Sequence, residues 1–223
     1  MNIAIFIYDR FTALDAVGPY EVLRLIPGAK VSFAAKEKGP QRTDAGSLAI
    51  VADFAIEDIN AADIVVIPGG PGQSALMDDA RVLDWVRKVH STSRWTTSVC
   101  TGSLVLAAAG LLNGLRATSH WLALDVLRKY GAEPTTERVV TQGKIITAAG
   151  VSAGIDMALT LVGLECGEDV AQSIQLGIEY DPQPPFNAGS PEKAPPAIVE
   201  SLRERSRFLF PNLEGNASKA ESN

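Results

Sequence analysis

The sequence predicts an α/β fold built on a largely parallel sheet. Short β-branched runs alternate with longer helical stretches, and Gly/Pro clusters cut some of those runs off sharply. No internal repeat or linker divides the 223 residues, a length that can bury one sizeable core. One domain over 1–211 is the expectation, followed by a polar, frayed tail over 212–223.

Asn2–Tyr8 places Ile3, Ile5 and Ile7 on one face and reads as the first strand. Gly18-Pro19 then opens a helix over Tyr20–Ile26, since proline suits a first helical turn. Val31–Ala35 is the second strand. The polar stretch Lys36–Ser47 leads into Leu48–Ala52, a short hairpin at the sheet edge. Asp63–Ile67 is a buried strand stopped by Pro68-Gly69-Gly70-Pro71-Gly72. Asp79–His90 carries Val82, Leu83, Val86 and Val89 at helical spacing.

Trp95–Val99 is the next strand and runs directly into Cys100-Thr101-Gly102, after which Ser103–Ala109 is rich in helix formers. Ala117–Ser119 is strand-like, and Trp121–Tyr130 is a helix closed by Gly131. Val139–Val140 and Lys144–Ala148 form a strand pair turning at Gln142-Gly143. Ser152–Leu164 and Asp169–Ile178 are helices. The proline-rich stretch from Tyr180 to Pro191 cannot be regular structure, and Pro196–Phe208 is a last helix.

With 46% hydrophobic and 21% charged residues, the composition is that of an ordinary globular protein. A net charge of -6 and a pI near 5.0 repel polyanions, which argues against nucleic acid or an anionic membrane as partner. No apolar run reaches the roughly 18 residues of a membrane span. The N-terminus opens straight into strand-like sequence rather than a signal peptide. Two cysteines far apart make no disulfide framework, so a reducing cytoplasm is the expected compartment.

Chemistry concentrates at Ser98-Val99-Cys100-Thr101-Gly102-Ser103-Leu104. A strand, an abrupt turn and a helix together make a nucleophile elbow that lifts one side chain at the carboxyl edge of the sheet. A helix N-terminus at the sulfur favours thiolate and can take a cysteine pKa to about 3.5–7.5. Most free cysteines are small buried hydrophobes, and the elbow is what separates Cys100 from Cys166, which sits near a helix end and reads as structural. Pro68-Gly69-Gly70 ends another core strand, where bare backbone N–H groups can face developing charge; alone it reads as a tight turn. Asp15, in the loop after the first strand, serves either as a turn or cap residue or as a proton-transferring carboxyl. Were it catalytic, a partly buried carboxyl beside a thiolate would have a raised pKa and titrate with it as a pair. His120 ends a strand and could pair with Cys100, whereas His90 closes an amphipathic helix as a solvated C-terminal charge. No residues show metal-ligand spacing and no dinucleotide or Walker-type fingerprint appears.

These elements together resemble the PfpI-like superfamily over nearly the whole chain, Asn2 to about Arg207. Within it the sequence is similar to the isonitrile hydratase branch. The most specific stretches are Leu14-Asp15 with Gly18-Pro19, Ile67-Pro68-Gly69-Gly70, Ser98–Leu106 and Pro184–Pro191. The resemblance implies a flavodoxin-like sandwich with helices on both faces, a homodimer, and no cofactor or metal. It implies Cys100 as nucleophile, Asp15 as acid and base, Thr101 completing the site, and the N–H groups of Gly70 and Thr101 as oxyanion-type donors. The substrate it implies is a small isonitrile, hydrated to an N-substituted formamide.

Many relatives carry His directly after the cysteine; Thr101 in that place disfavours a protease-like site. Asp15 replaces the Glu usual in glyoxalase-like relatives. A glyoxalase or deglycase-like activity is the competing enzyme reading. Regulators of the AraC type carry a similar domain ahead of a helix-turn-helix region, and the polar stretch after Phe210 weighs against that reading.

Overall fold

A computed structural model describes residues 1–209, with side chains through 206. The tail expected from residue 212 lies outside the described residues. In chain order the strands are β1 (Asn2–Phe6), β2 (Lys30–Ala35), β3 (Gly39–Arg42), β4 (Ala49–Ala52), β5 (Phe54–Ala55), β6 (Ile64–Ile67), β7 (Trp95–Val99), β8 (Arg116–Ala117), β9 (Glu133–Pro134), β10 (Val139–Gln142) and β11 (Ile145–Ala148). The helices are α1 (Ala13–Leu23), α2 (Gln73–Leu76), α3 (Ala80–Thr92), α4 (Gly102–Ala108), α5 (Leu124–Lys129), α6 (Ala153–Cys166), α7 (Glu168–Gly177) and α8 (Pro196–Leu209).

Seven strands form the central sheet in the order β10-β11-β7-β6-β1-β2-β5, parallel throughout except for the β10–β11 hairpin. Ile64–Ile67 and Ile145–Ala148 are buried at every position. Continuous apolar burial of this kind is what a parallel strand covered on both faces requires. Helices flank the sheet, with α1 packed on α6, α6 on α7, and α3 on α4. No helix among the described residues is long and apolar enough to cross a membrane.

Three expectations change. The first helix begins at Ala13, not at Tyr20, and Pro19 lies inside it. A proline there removes one helical hydrogen bond, and packing against α6 outweighs the loss, with Gly154 bare where Pro19 approaches. Asp15 is therefore in the first turn of a helix rather than in a loop. The β3–β4 hairpin forms its own two-stranded sheet, leaving β5 as the edge of the central one. The helix expected over Trp121–Tyr130 is split into a 3-10 turn, Trp121–Ala123, and α5.

Candidate active site

Four adjacent strands, β11, β7, β6 and β1, each release one piece of the site at the carboxyl edge, where open parallel sheets bind ligands. β7 ends in Cys100, whose backbone turns into the left-handed region at φ 56°. That conformation is costly for a residue with a side chain and is held where the surroundings over-determine it. Gly102 makes the turn possible, because a Cβ there would sit 2.0 Å from the Ile67 carbonyl oxygen.

β6 delivers Pro68-Gly69-Gly70. The Gly69 N–H donates to Asp15 Oδ2 at 2.9 Å and the Gly70 N–H donates to Thr101 Oγ1 at 3.0 Å. Gly69 is hemmed in by Thr101 and Asp15: a Cβ would lie 2.5 Å from the Thr101 nitrogen and 2.9 Å from Asp15 Oδ2. The Gly70 amide thus orients the Thr101 hydroxyl instead of facing open space as an oxyanion-type donor.

β1 leads into α1 and brings in Asp15, which is fully buried. Burial pushes its carboxyl up to about 7, against the pull of the Gly69 N–H and of a hydrogen bond to the Cys100 side chain. β11 leads through Ala149-Gly150 to Val151, another non-glycine residue with positive φ, 26°. The N–H groups of Thr101 and Val151 lie beside the Cys100 sulfur and favour its thiolate. Val151 escaped the sequence reading because its contribution is a backbone group. The signal for it was positional: a strand end beside the elbow, followed by the helix α6.

Cys100 is 5% exposed. Burial raises its thiol pKa well above the usual range, the Asp15 carboxylate raises it further, and the two N–H donors pull it back. The depressed pKa expected from the helix N-terminus is overturned in direction. The seven residues of α4 carry a modest dipole, and desolvation beside a carboxyl outweighs it. Two acids in one dry pocket resist ionising together, so at least one proton stays on the pair.

His120 is not joined to Cys100 by any hydrogen bond among the described residues. Its Nδ1 accepts from the Leu122 N–H at 3.3 Å, its ring lies against Gly150, and burial lowers its pKa, keeping it neutral. Cys166 is half-buried at the end of α6, away from the elbow. A groove of about 560 Å³ between the end of α1 and α7 is lined by Leu25, Pro27, Val170 and Ile174 and includes none of these site residues.

Comparison with known proteins follows the same geometry. The DJ-1/PfpI family model matches residues 1–164. The chain is 43% identical over 206 residues to an isonitrile hydratase from Pseudomonas putida, covering 92% of this chain and 90% of the relative. It is 28% identical over 149 residues to the glutathione-independent glyoxalase DJR-1.2 of Caenorhabditis elegans, covering 66% of this chain and 79% of the relative. The crystal structure of a THiJ/PfpI family protein from Pseudomonas syringae superposes with a TM-score of 0.92 at 39% identity, covering 97% of this chain and 90% of that one. The family model over residues 1–164 and the match along most of both chains to the Pseudomonas putida protein show that the chain belongs to the DJ-1/PfpI family.

Proposed function

We propose that the protein hydrates isonitriles to N-substituted formamides, with Cys100 as nucleophile and Asp15 as proton carrier. The observation that carries this is the buried pair itself: a carboxyl raised to about 7 beside a buried thiol, with the Thr101 and Val151 N–H groups favouring the thiolate. Similarity to the Pseudomonas putida isonitrile hydratase along most of both chains supports the same reading.

The reacting form is the minor tautomer of the pair, with Cys100 as thiolate and the proton on Asp15, since the thiol is the weaker acid of the two. Sulfur attacks the terminal isonitrile carbon, which takes the Asp15 proton, and an S-bound thioimidate results. Water then adds across the C=N bond, Asp15 taking one of its protons and passing it to nitrogen. As the C=O forms and the C–S bond breaks, the remaining hydroxyl proton goes to Asp15, which releases the formamide and restores thiolate beside protonated Asp15. One difficult addition becomes two easier ones. Thr101, with its hydroxyl oriented by Gly70, completes the wall beside the sulfur. The slight exposure of Cys100 favours a linear group presented end-on over an aldehyde, which must expose its carbonyl face to sulfur.

The working unit is a cytoplasmic homodimer of one domain over 1–211. Support for the dimer comes from Leu176 and Phe186, large apolar side chains each more than three-quarters exposed near the C-terminal end. A panel of alkyl and aryl isonitriles, run beside methylglyoxal with wild type and Cys100→Ala, tests the reading. Formamide release from wild type and none from Cys100→Ala is expected. Turnover of methylglyoxal without isonitrile turnover sinks the assignment in favour of a glyoxalase.

A further inference from the structure

The strained Cys100 residue is tied down at both ends. Its N–H donates to the carbonyls of Ala148 and Ala149, each at 3.1 Å. Its own carbonyl accepts from two hydroxyls, Ser103 Oγ at 3.2 Å and Ser119 Oγ at 3.1 Å. Ser103 is a local partner three residues along the same turn, a common arrangement where a serine begins a helix. Ser119 is not local. It comes from the segment between β8 and the 3-10 turn at Trp121, and it is buried. That segment is itself anchored, because the Thr118 N–H donates to Thr147 Oγ1 on β11 at 2.9 Å.

The Cys100 carbonyl and the Thr101 N–H are two ends of one planar peptide group, so turning one turns the other. The Thr101 N–H is one of the two backbone groups beside the sulfur that favour its thiolate. Hydrogen bonds to a carbonyl also polarise the amide, strengthening its N–H as a donor by about 10–30% per bond. From this geometry we infer that Ser119 is a positioning residue for the nucleophile: through the Cys100 carbonyl it aims and strengthens the Thr101 N–H that faces the sulfur. The inference rests on the reading of Cys100 as nucleophile. It gives a purpose to a serine that touches no reacting atom.

The test uses the full-length protein and follows alkylation of Cys100 by iodoacetamide across pH, with mass spectrometry separating it from Cys166. Kinetics on a simple alkyl isonitrile run in parallel. For Ser119→Ala, the midpoint of thiol reactivity moves up by about half a pH unit or more. kcat falls about tenfold, less than the 10²–10³ lost with a direct oxyanion donor, and KM stays within about threefold. Ser119→Thr keeps a hydroxyl and recovers most of both. A Ser119→Ala enzyme whose alkylation profile and kcat match wild type overturns the inference.

Should Ser119→Ala not fold, as judged by near-UV circular dichroism, Ser103→Ala removes the other donor to the same carbonyl. Its profile must move in the same direction, and no movement there is equally fatal. A Cys100→Ala enzyme that still releases formamide is a separate failure. It removes the nucleophile assignment, while the alkylation profile of Ser119→Ala reports the coupling of Ser119 to the sulfur on its own.

Discussion

Cys100 and Cys166 close two different kinds of element, a strand bent sharply into a helix and a helix that simply stops at Gly167. Burial raises the pKa of both thiols, so a raised pKa does not tell them apart. The neighbours do. Beside Cys100 stand two N–H groups that favour the thiolate and a buried carboxyl that titrates with it. Beside Cys166 stand Glu165, which disfavours thiolate, and Arg94, already paired with Glu165 at 2.5 Å. Reactivity here is a matter of which dipoles face the sulfur, and the fold arranges those around one cysteine only.

The contrast breaks most completely at the turn. Gly102→Ala forces a Cβ to within 2.0 Å of a backbone carbonyl, and overpacking against backbone costs about 3 kcal/mol or more. Denaturant melts should show that loss, with activity gone even where the variant folds. A stable, active Gly102→Ala enzyme would mean that the elbow is looser than its geometry.

Asp15→Asn sharpens the contrast from the other side. A carboxyl raised from 3.8 to about 7 binds more protons in the native state than in the unfolded chain across that window. Wild-type stability therefore falls as pH rises through the window, and the full penalty is present above about 7. The variant lacks that titration and should exceed wild type near pH 8 by on the order of 2 kcal/mol. The difference should close toward pH 4. Hydration activity falls by about 10²-fold or more, as expected for a lost acid and base. Thermal melts at the two pH values decide the stability claim, and a variant that is less stable at both contradicts the buried neutral carboxyl.

Cys166→Ser gives the smallest effect, within about 0.5 kcal/mol in stability and no change in kcat. A large loss of activity there would erase the distinction between the two thiols.

The sequence made much of this legible because parallel core strands write themselves as short β-branched runs with glycine a few residues past their ends: Ile64–Ile67 is wholly apolar, Ile145–Ala148 nearly so, and Trp95–Val99 shows through Thr96, Thr97 and Val99. Cys100, Asp15, Thr101 and the Pro68-Gly69-Gly70 turn were all visible as candidates, and the structure brings them to one edge. What stayed hidden was tertiary or backbone in origin. The early start of α1 depends on packing that tolerates Pro19 inside a helix. The N–H of Val151 has no side-chain signature. The direction of the Cys100 pKa depends on how dry the pocket is, and spacing along the chain does not encode dryness.

The four strands that supply the site are consecutive in the interior of the sheet, with β10 lying beyond them on one side and β2 and β5 on the other. Local opening in such folds starts at margins with few neighbours and reaches interior ladders only near the global unfolding limit. Amide hydrogens of β6 and β7 should accordingly be among the last to exchange, so fraying at the borders leaves the strand ends that carry the site in place. Loss of catalysis on heating then tracks loss of the whole native state rather than a local melt.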